Sequence, residues 1–235
     1  MIKDKAPVTL YVVTHNYTRF LREALESVDA QTWRPNQLII IDNGSTDGVE
    51  EVLSDYTGRE DVTIIHNSNI GHVKAANQAL KLANEKYFMR LDGDDILMPW
   101  ALEYLVKSME ANPEAAYAFG DYITMDEKGI PLDYCSGVTH SPISKVHNNE
   151  FVKPELQFEK YTLNLLAEEF TPHGAVTLIR KENFLEVGGY DDQIRSNDGG
   201  FLCEKFASLP LIQLSISAFF YRKHCVSLTQ SLKQN

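Results

Sequence analysis

The sequence predicts an α/β protein with a mostly parallel central sheet and helices on both of its faces. Three observations predict it. Apolar, β-branched runs alternate with segments of helical period four times in about the first 120 residues. The strand-like runs are apolar at nearly every position, as in strands covered on both faces. They end in the polar clusters Thr14-His15-Asn16, Asp42-Asn43 and Asp92-Gly93-Asp94-Asp95. Open α/β sheets bind ligands beyond those carboxyl ends.

Val8 to Thr14 is the first buried strand. In the segment after it, Leu21, Ala24, Leu25 and Val28 form an apolar helical stripe. Leu38 to Asp42 is the second strand, followed by the turn Asn43-Gly44-Ser45 and a helix marked by Val49, Val52, Leu53 and Tyr56. Val62 to His66 is the third strand, and Val73 to Glu85 a helix through Ala76 and Leu80. Tyr87 to Leu91 is the fourth strand, running into Asp92. Pro99 suits the first turn of a helix to Ala111, and Ala115 to Gly120 is a fifth strand. Residues 128–165 carry no regular period and read as a long excursion lining a substrate site. Ala175 to Arg180 reads as a strand, Lys181 to Val187 as a short helix closed by Gly188-Gly189, Gly199 to Ser208 as a helix, and Leu211 to Tyr221 as the last strand. The expected organisation is one domain, residues 1–127 binding a nucleotide and residues 128–235 an acceptor.

The 235 residues carry 22 Lys plus Arg against 33 Asp plus Glu, a net charge of −11. That balance excludes a protein whose main work is gripping nucleic acid. Cys135, Cys203 and Cys225 are three widely spaced cysteines, so reduced thiols and a cytoplasmic setting are expected. No apolar run is long enough to cross a membrane and none reads as a signal peptide, so membrane contact is expected to be peripheral at most.

Asp92-Gly93-Asp94-Asp95 puts three carboxylates in four residues. They repel one another unless a cation sits among them, and Mn²⁺ or Mg²⁺ takes oxygen ligands of this kind. The other reading is a solvated acidic turn that caps the helix after it. Gly93 reads as the residue that lets this turn be tight. Asn43 to Asp47 reads as a helix-capping turn, with Asp42 at the strand end able to accept hydrogen bonds from a base or a ribose. His66, His72, His140 and His147 lack metal-ligand spacing and read as solvated or structural. Trp33 and Trp100 read as packing anchors at helix ends, Trp100 near enough to Asp95 to flank a sugar. There is no G-x-G-x-x-G after a strand, no P-loop and no G-x-S-x-G elbow.

Taken in order, THNYTRFLREALESV, IIDNGSTDG, NIGHVKAANQAL, RLDGDDILMP, GGYDDQIRSNDGGFLCEKF and YRKHCVSLT resemble a family 2 glycosyltransferase of the GT-A fold. The resemblance covers roughly residues 7–230. It implies an inverting, metal-dependent transferase that moves a sugar from a nucleoside diphosphate, with UDP the expected nucleotide. The implied donor-binding residues are Thr14, His15, Asn16, Asp42, Asn43, Lys74, Asp92 and Asp95. His15 stands where the family often has Tyr, and Lys74 stands two residues before Ala76, where the family often has Arg. The implied metal residues are Asp94, Asp92 and His224, with Mn²⁺ or Mg²⁺ as cofactor. Asp198 is the implied general base, beside Asn197 where the family usually has Glu. His173, Gly174 and Asn197 are expected to line the acceptor site, for a glycan or lipid-linked glycan, at the inner face of a membrane or free in the cytoplasm.

Two other readings stand beside this one. A sugar-nucleotide pyrophosphorylase also joins an α/β sheet, a nucleotide and a divalent metal, but needs a glycine-rich first loop where this chain has Thr14-His15-Asn16. A catalytically inactive nucleotide-sugar or glycan-binding module would not need both Asp94 and Asp198. The acidity adds one expectation: five aspartates at one crevice (Asp42, Asp92, Asp94, Asp95 and Asp198) should bind an anionic donor poorly without a divalent cation.

Overall fold

The structure, a computed structural model, describes residues 4–137, 142–146, 153–156, 158–162, 174–191 and 209–224. The helix expected at Gly199 to Ser208 lies outside them, as do His173, Asn197, Asp198, His140 and His147.

The chain order is β1 (Asp4–Thr14), α1 (Thr18–Asp29), β2 (Trp33–Asp42), α2 (Glu50–Leu53), β3 (Val62–His66), α3 (His72–Leu82), β4 (Tyr87–Asp92), β5 (Ile96–Leu97), α4 (Ala101–Glu110) and β6 (Tyr117–Met125). There follow β7 (Pro131–Cys135), β8 (Pro142–Lys145), β9 (Phe158–Thr162), β10 (Leu178–Arg180), α5 (Lys181–Glu186) and β11 (Pro210–Arg222). All the strands join one sheet, whose main path runs β3-β2-β1-β4-β10-β6-β11-β5.

The first four strands of that path are parallel, as the alternating pattern requires. Their side chains divide between two cores. Val8, Leu10, Val12, Leu38, Ile40, Met89 and Leu91 pack with the apolar stripes of α1, α2 and α4. Tyr11, Val13, Ile39, Ile41 and Phe88 face the other way, onto α3 and α5. α3 meets the sheet through Ala75, Ala76 and Ala79. Residues that small let the helix lie close to the strands.

Several elements differ from the sequence expectation. The helix expected around residues 46–56 is only four residues of α-helix, Glu50–Leu53. Trp33 opens β2 instead of ending a helix. Trp100 is 6% exposed and its Nε1 donates to the Ser217 carbonyl, so it anchors packing at the start of α4. The excursion at 128–165 contains three short strands, β7, β8 and β9, which add to β6 and β11 by backbone pairing. β10 shrinks to three residues because Val176 takes a left-handed φ of 57°. It runs antiparallel between β4 and β6 and separates strands that would otherwise be neighbours.

β11 decides what meets the acidic turn. It runs parallel to β6 with register shifts at Leu214/Ser217 and Ser217/Phe219. Such irregularities bend and re-aim a strand. The bend packs against Gly120, where an added Cβ would lie 2.9 Å from both the Ala218 Cβ and the Ile216 carbonyl oxygen. Beyond it, β11 pairs antiparallel with β5, just past Asp95.

Candidate active site

Three strand ends form the crevice. Thr14 pairs with Asp42 on one side, and its neighbour Val13 pairs with Asp92 on the other. Asp42 and Asp92 thus flank the end of β1, two strand spacings or about 10 Å apart. The Thr14 hydroxyl lies between them, buried and without a hydrogen-bond partner among the described residues.

The β2 side is held by its own loop. Asp42 is 6% exposed and its Oδ1 accepts from the Ser45 backbone N–H at 2.8 Å. Its Oδ2 faces His66 Nδ1 at 3.4 Å. The Asn43 amide accepts from Ile70 N at 3.0 Å and bonds Asn69 at 3.3 Å. Asn16 has a left-handed φ of 59°, which asparagine tolerates better than most residues. Its Oδ1 accepts from Thr46 N at 2.8 Å, and its own N–H donates to Ser45 Oγ at 3.0 Å. Ser45 and Thr46 therefore tie the first two strand ends together, and α2 begins without a side-chain cap. This corrects the helix-capping role expected for that turn. Asp47 instead takes the Thr18 N–H at the start of α1. His15 is exposed, its Nε2 3.4 Å from the Asn16 and Asn69 amides.

The β4 side is a buried acidic turn. Oxygens of Asp92, Asp94 and Asp95 lie within 4.8 Å of one another, a donor set suited to a hard divalent cation. Asp95 is fully buried, and its Oδ2 has no hydrogen-bond partner among the described residues. Burial, with Asp94 and Asp92 alongside, pushes its carboxyl well above the usual carboxylate range. A cation in reach of these oxygens removes that cost, so the residues fit the metal. Gly93 is not what makes the turn possible: a Cβ there would meet Thr14 Oγ1 at an ordinary 3.5 Å. Asp42, Glu50 and His66 form a second group of three, but Glu50 and His66 are exposed.

The sequence reading missed the cations that steady this turn. Arg90, 7% exposed, pairs through Nε with Asp92 Oδ1 at 2.9 Å. An arginine inside the apolar run Tyr-Phe-Met-Arg-Leu was the available signal. Its Nη1 also meets His72 Nε2 at 3.0 Å. Burial and that guanidinium lower the His72 pKa to about 4, so this histidine is neutral and structural. Arg222 reaches the turn from β11, its Nε donating to the Asp94 carbonyl at 2.9 Å. His224 follows, its Nε2 2.8 Å from Asp94 Oδ2 and its ring against Tyr17 and Phe20. Tyr17 had no signal as a site residue beyond lying next to Asn16, and Phe20, four positions past Asn16, had none.

Other expected residues lie further out. Lys74 is exposed on α3 and lines a cleft of roughly 600 Å³ with Ile70, Lys81 and Leu185. Gly174 leads into the turn whose Val176 N–H donates to the Arg90 carbonyl. Asn77 clamps the backbone of Tyr190 at 2.8 and 3.1 Å, fixing the Gly-Gly turn on α3.

The family model described as "Glycosyl transferase family 2" matches residues 9–188. The chain belongs to glycosyltransferase family 2. An uncharacterized glycosyltransferase of Methanocaldococcus jannaschii is 29% identical over 203 residues, 84% of this chain and 64% of that protein. The putative teichuronic acid biosynthesis glycosyltransferase TuaG of Bacillus subtilis is 29% identical over 153 residues, 63% of this chain and 58% of TuaG. The crystal structure of S. aureus TarS residues 1–349 in complex with UDP-GlcNAc superposes with a TM-score of 0.71 at 15% identity, covering 95% of this chain and 60% of that one. The fold of this family 2 member is therefore GT-A. The chain spans less than two thirds of the length of these relatives.

Proposed function

We propose that this chain is an inverting, metal-dependent glycosyltransferase that takes a sugar from a UDP-sugar to a hydroxyl of a glycan or lipid-linked glycan. The observation that carries the reading is the pairing of Asp42 and the buried Asp92–Asp95 turn on either side of Thr14. Capture of TarS with UDP-GlcNAc and with UDP supports a uridine donor.

Asp42, Asn43, His15 and Asn16 form the side that receives the base and ribose. Asp92 and Asp94, with His224 and the buried Asp95 beside them, would hold Mn²⁺ or Mg²⁺. Bound there, the metal supplies positive charge against the leaving diphosphate. Asp198 takes the proton from the acceptor hydroxyl as it attacks the anomeric carbon from the face opposite UDP, a contribution on the order of 10²- to 10⁴-fold. Lys74 is a further donor contact, and His173, Gly174 and Asn197 line the acceptor side. No helix among the described residues is long and apolar enough to cross a membrane. A cytoplasmic location, with peripheral contact to a membrane carrying the acceptor, goes with this reading.

The test is UDP release from a panel of UDP-sugars with Mn²⁺, with and without EDTA, and with the Asp198→Asn variant. Wild type should release UDP only with metal. The variant should keep donor affinity and lose turnover by about 100-fold or more. Saturable UDP binding with no release from any donor supports a binding module instead. Near-wild-type turnover in the variant rejects Asp198 as the base.

A further inference from the structure

We infer that Arg222 is a positioning residue for the metal site, holding the Asp92–Asp95 turn in the shape that takes a divalent cation. The inference rests on the reading of that turn as a metal site.

β5 follows the acidic turn and pairs with β11, Leu97 opposite Phe219 and Ile96 opposite Phe220. Extending that antiparallel register puts Arg222 opposite Asp94. There it grips the turn twice. Its backbone N–H donates to Asp95 Oδ1 at 3.0 Å, and its Nε donates to the Asp94 carbonyl at 2.9 Å. The rest of the guanidinium is tied to the surrounding scaffold. Nη1 donates to the Glu127 carbonyl at 3.1 Å and Nη2 to Glu23 Oε2 at 2.5 Å, while the group lies 4.6 Å from the centre of the Phe20 ring.

Arg222 is only 1% exposed, and a buried guanidinium is costly unless its donors are met by good geometry. Here two of its contacts are to the residues whose carboxylates must hold the cation. α1 through Glu23, the Glu127 turn and β11 thus converge on one fork aimed at the Asp94 backbone. The planar fork is the property a lysine lacks: one ammonium cannot reach the Asp94 carbonyl, the Glu127 carbonyl and Glu23 together. Residues that orient metal ligands in this way typically change metal affinity when replaced, by about 10- to 100-fold.

The experiment measures the Mn²⁺ concentration that half-saturates UDP binding, together with the melting temperature without metal. Arg222→Lys should raise that Mn²⁺ concentration about tenfold or more. Val52→Ala, in the α2 core, serves as a control for general loss of stability and should leave it near the wild-type value. If Arg222→Lys does not fold, Glu23→Ala removes one anchor of the fork from a largely exposed position, and should raise it about fivefold. An unchanged Mn²⁺ requirement in the folded variant, or an equal rise in Val52→Ala, overturns the inference. Asp94→Asn separates the two claims. If it abolishes the Mn²⁺ dependence and Arg222→Lys leaves it intact, only the positioning role fails. If wild-type UDP binding ignores Mn²⁺, the metal site itself fails and the inference with it.

Discussion

The two acidic strand ends of the sheet are built in opposite ways. At β2 the carboxylate is tied to its own loop, and its neighbours His66 and Glu50 have side chains 51% and 75% exposed. At β4 the turn is closed over: Asp94 is 8% exposed and Asp95 fully buried. What closes it comes from β11, with His224 standing 130 positions from its partner Asp94. Asp42 itself is as buried as Asp94, so at the first end it is the Ser45 N–H and the water-exposed His66 that meet the carboxylate. At the second, among the described residues, Arg90, the Arg222 contacts and His224 meet the carboxylates, and a bound cation would add to them. The open end suits recognition of a neutral ring by hydrogen bonds, and the closed end suits a metal.

The largest expected effect tests the closed end. Asp95→Asn keeps an oxygen for the Arg222 N–H but removes the charge that burial, Asp94 and Asp92 penalise. Mn²⁺-supported UDP release should fall by about 100-fold, the upper end of what a metal-site replacement costs. The metal-free protein should melt higher, by about 2–4 °C for each kcal/mol of relieved repulsion. Function and stability moving in opposite directions is the signature of a site built at the expense of the fold. A lower metal-free melting temperature would break the contrast.

Asp42→Asn tests the open end. The asparagine oxygen can still accept from Ser45 N, so the melting temperature should not move. The donor KM should rise about tenfold or more, the scale of one hydrogen bond to a charged group, with kcat little changed. The preference for UDP over GDP should shrink with it. An equal loss in kcat would mean that Asp42 serves the chemistry and not the base.

The same contrast explains what the sequence disclosed. The β2 and β4 ends lie inside βαβ units, where apolar runs give each strand and the next polar residue marks its end. Asp42 and Asp92–Asp95 were legible for that reason. Arg222 was not, because its role depends on two register shifts in β11 and a two-residue β5, and neither leaves a hydrophobic period. β7 to β9 escaped notice on similar grounds: β7 is half-buried along most of its length, so nothing alternates. His224 was named only through the family resemblance, and its hold on Asp94 is a tertiary contact.

Gly189→Ala reaches the Gly-Gly turn held on α3. Gly189 has φ +74°, and an added Cβ would lie 2.9 Å from Leu80 Cδ2 and 3.0 Å from Asn77 Oδ1. The left-handed backbone alone costs a non-glycine residue about 1–2 kcal/mol, which lowers the melting temperature by about 2–8 °C. Donor affinity should hold, since Asn77 clamps only the Tyr190 backbone, and the Tyr190 hydroxyl stays on Tyr11, on the Arg90 side of the sheet. A fall in Mn²⁺-dependent UDP binding larger than the fall in stability would show that the turn shapes the donor site as well.

The smallest expected effect comes from a carboxylate remote from both ends. Glu103 on α4 accepts from Lys107 at 2.7 Å, Lys153 at 2.6 Å and the Thr32 hydroxyl at 2.7 Å. Burial works against its charge, but those three donors outweigh it and bring its pKa down from 4.5 to about 2. A carboxylate depressed on folding adds stability that is complete above its unfolded value and lost as pH falls through its folded one. The Glu103 contribution should therefore fade between pH 4.5 and about 2. Both lysines are more than 40% exposed, so solvent screens the pairs and lessens what they add at neutral pH. Glu103→Gln should flatten the fall in melting temperature across that window and leave Mn²⁺-dependent UDP release at pH 7 unchanged. Parallel slopes for variant and wild type would remove Glu103 from the acid response. A loss of UDP release would mean that the contrast between scaffold carboxylates and site carboxylates is drawn in the wrong place.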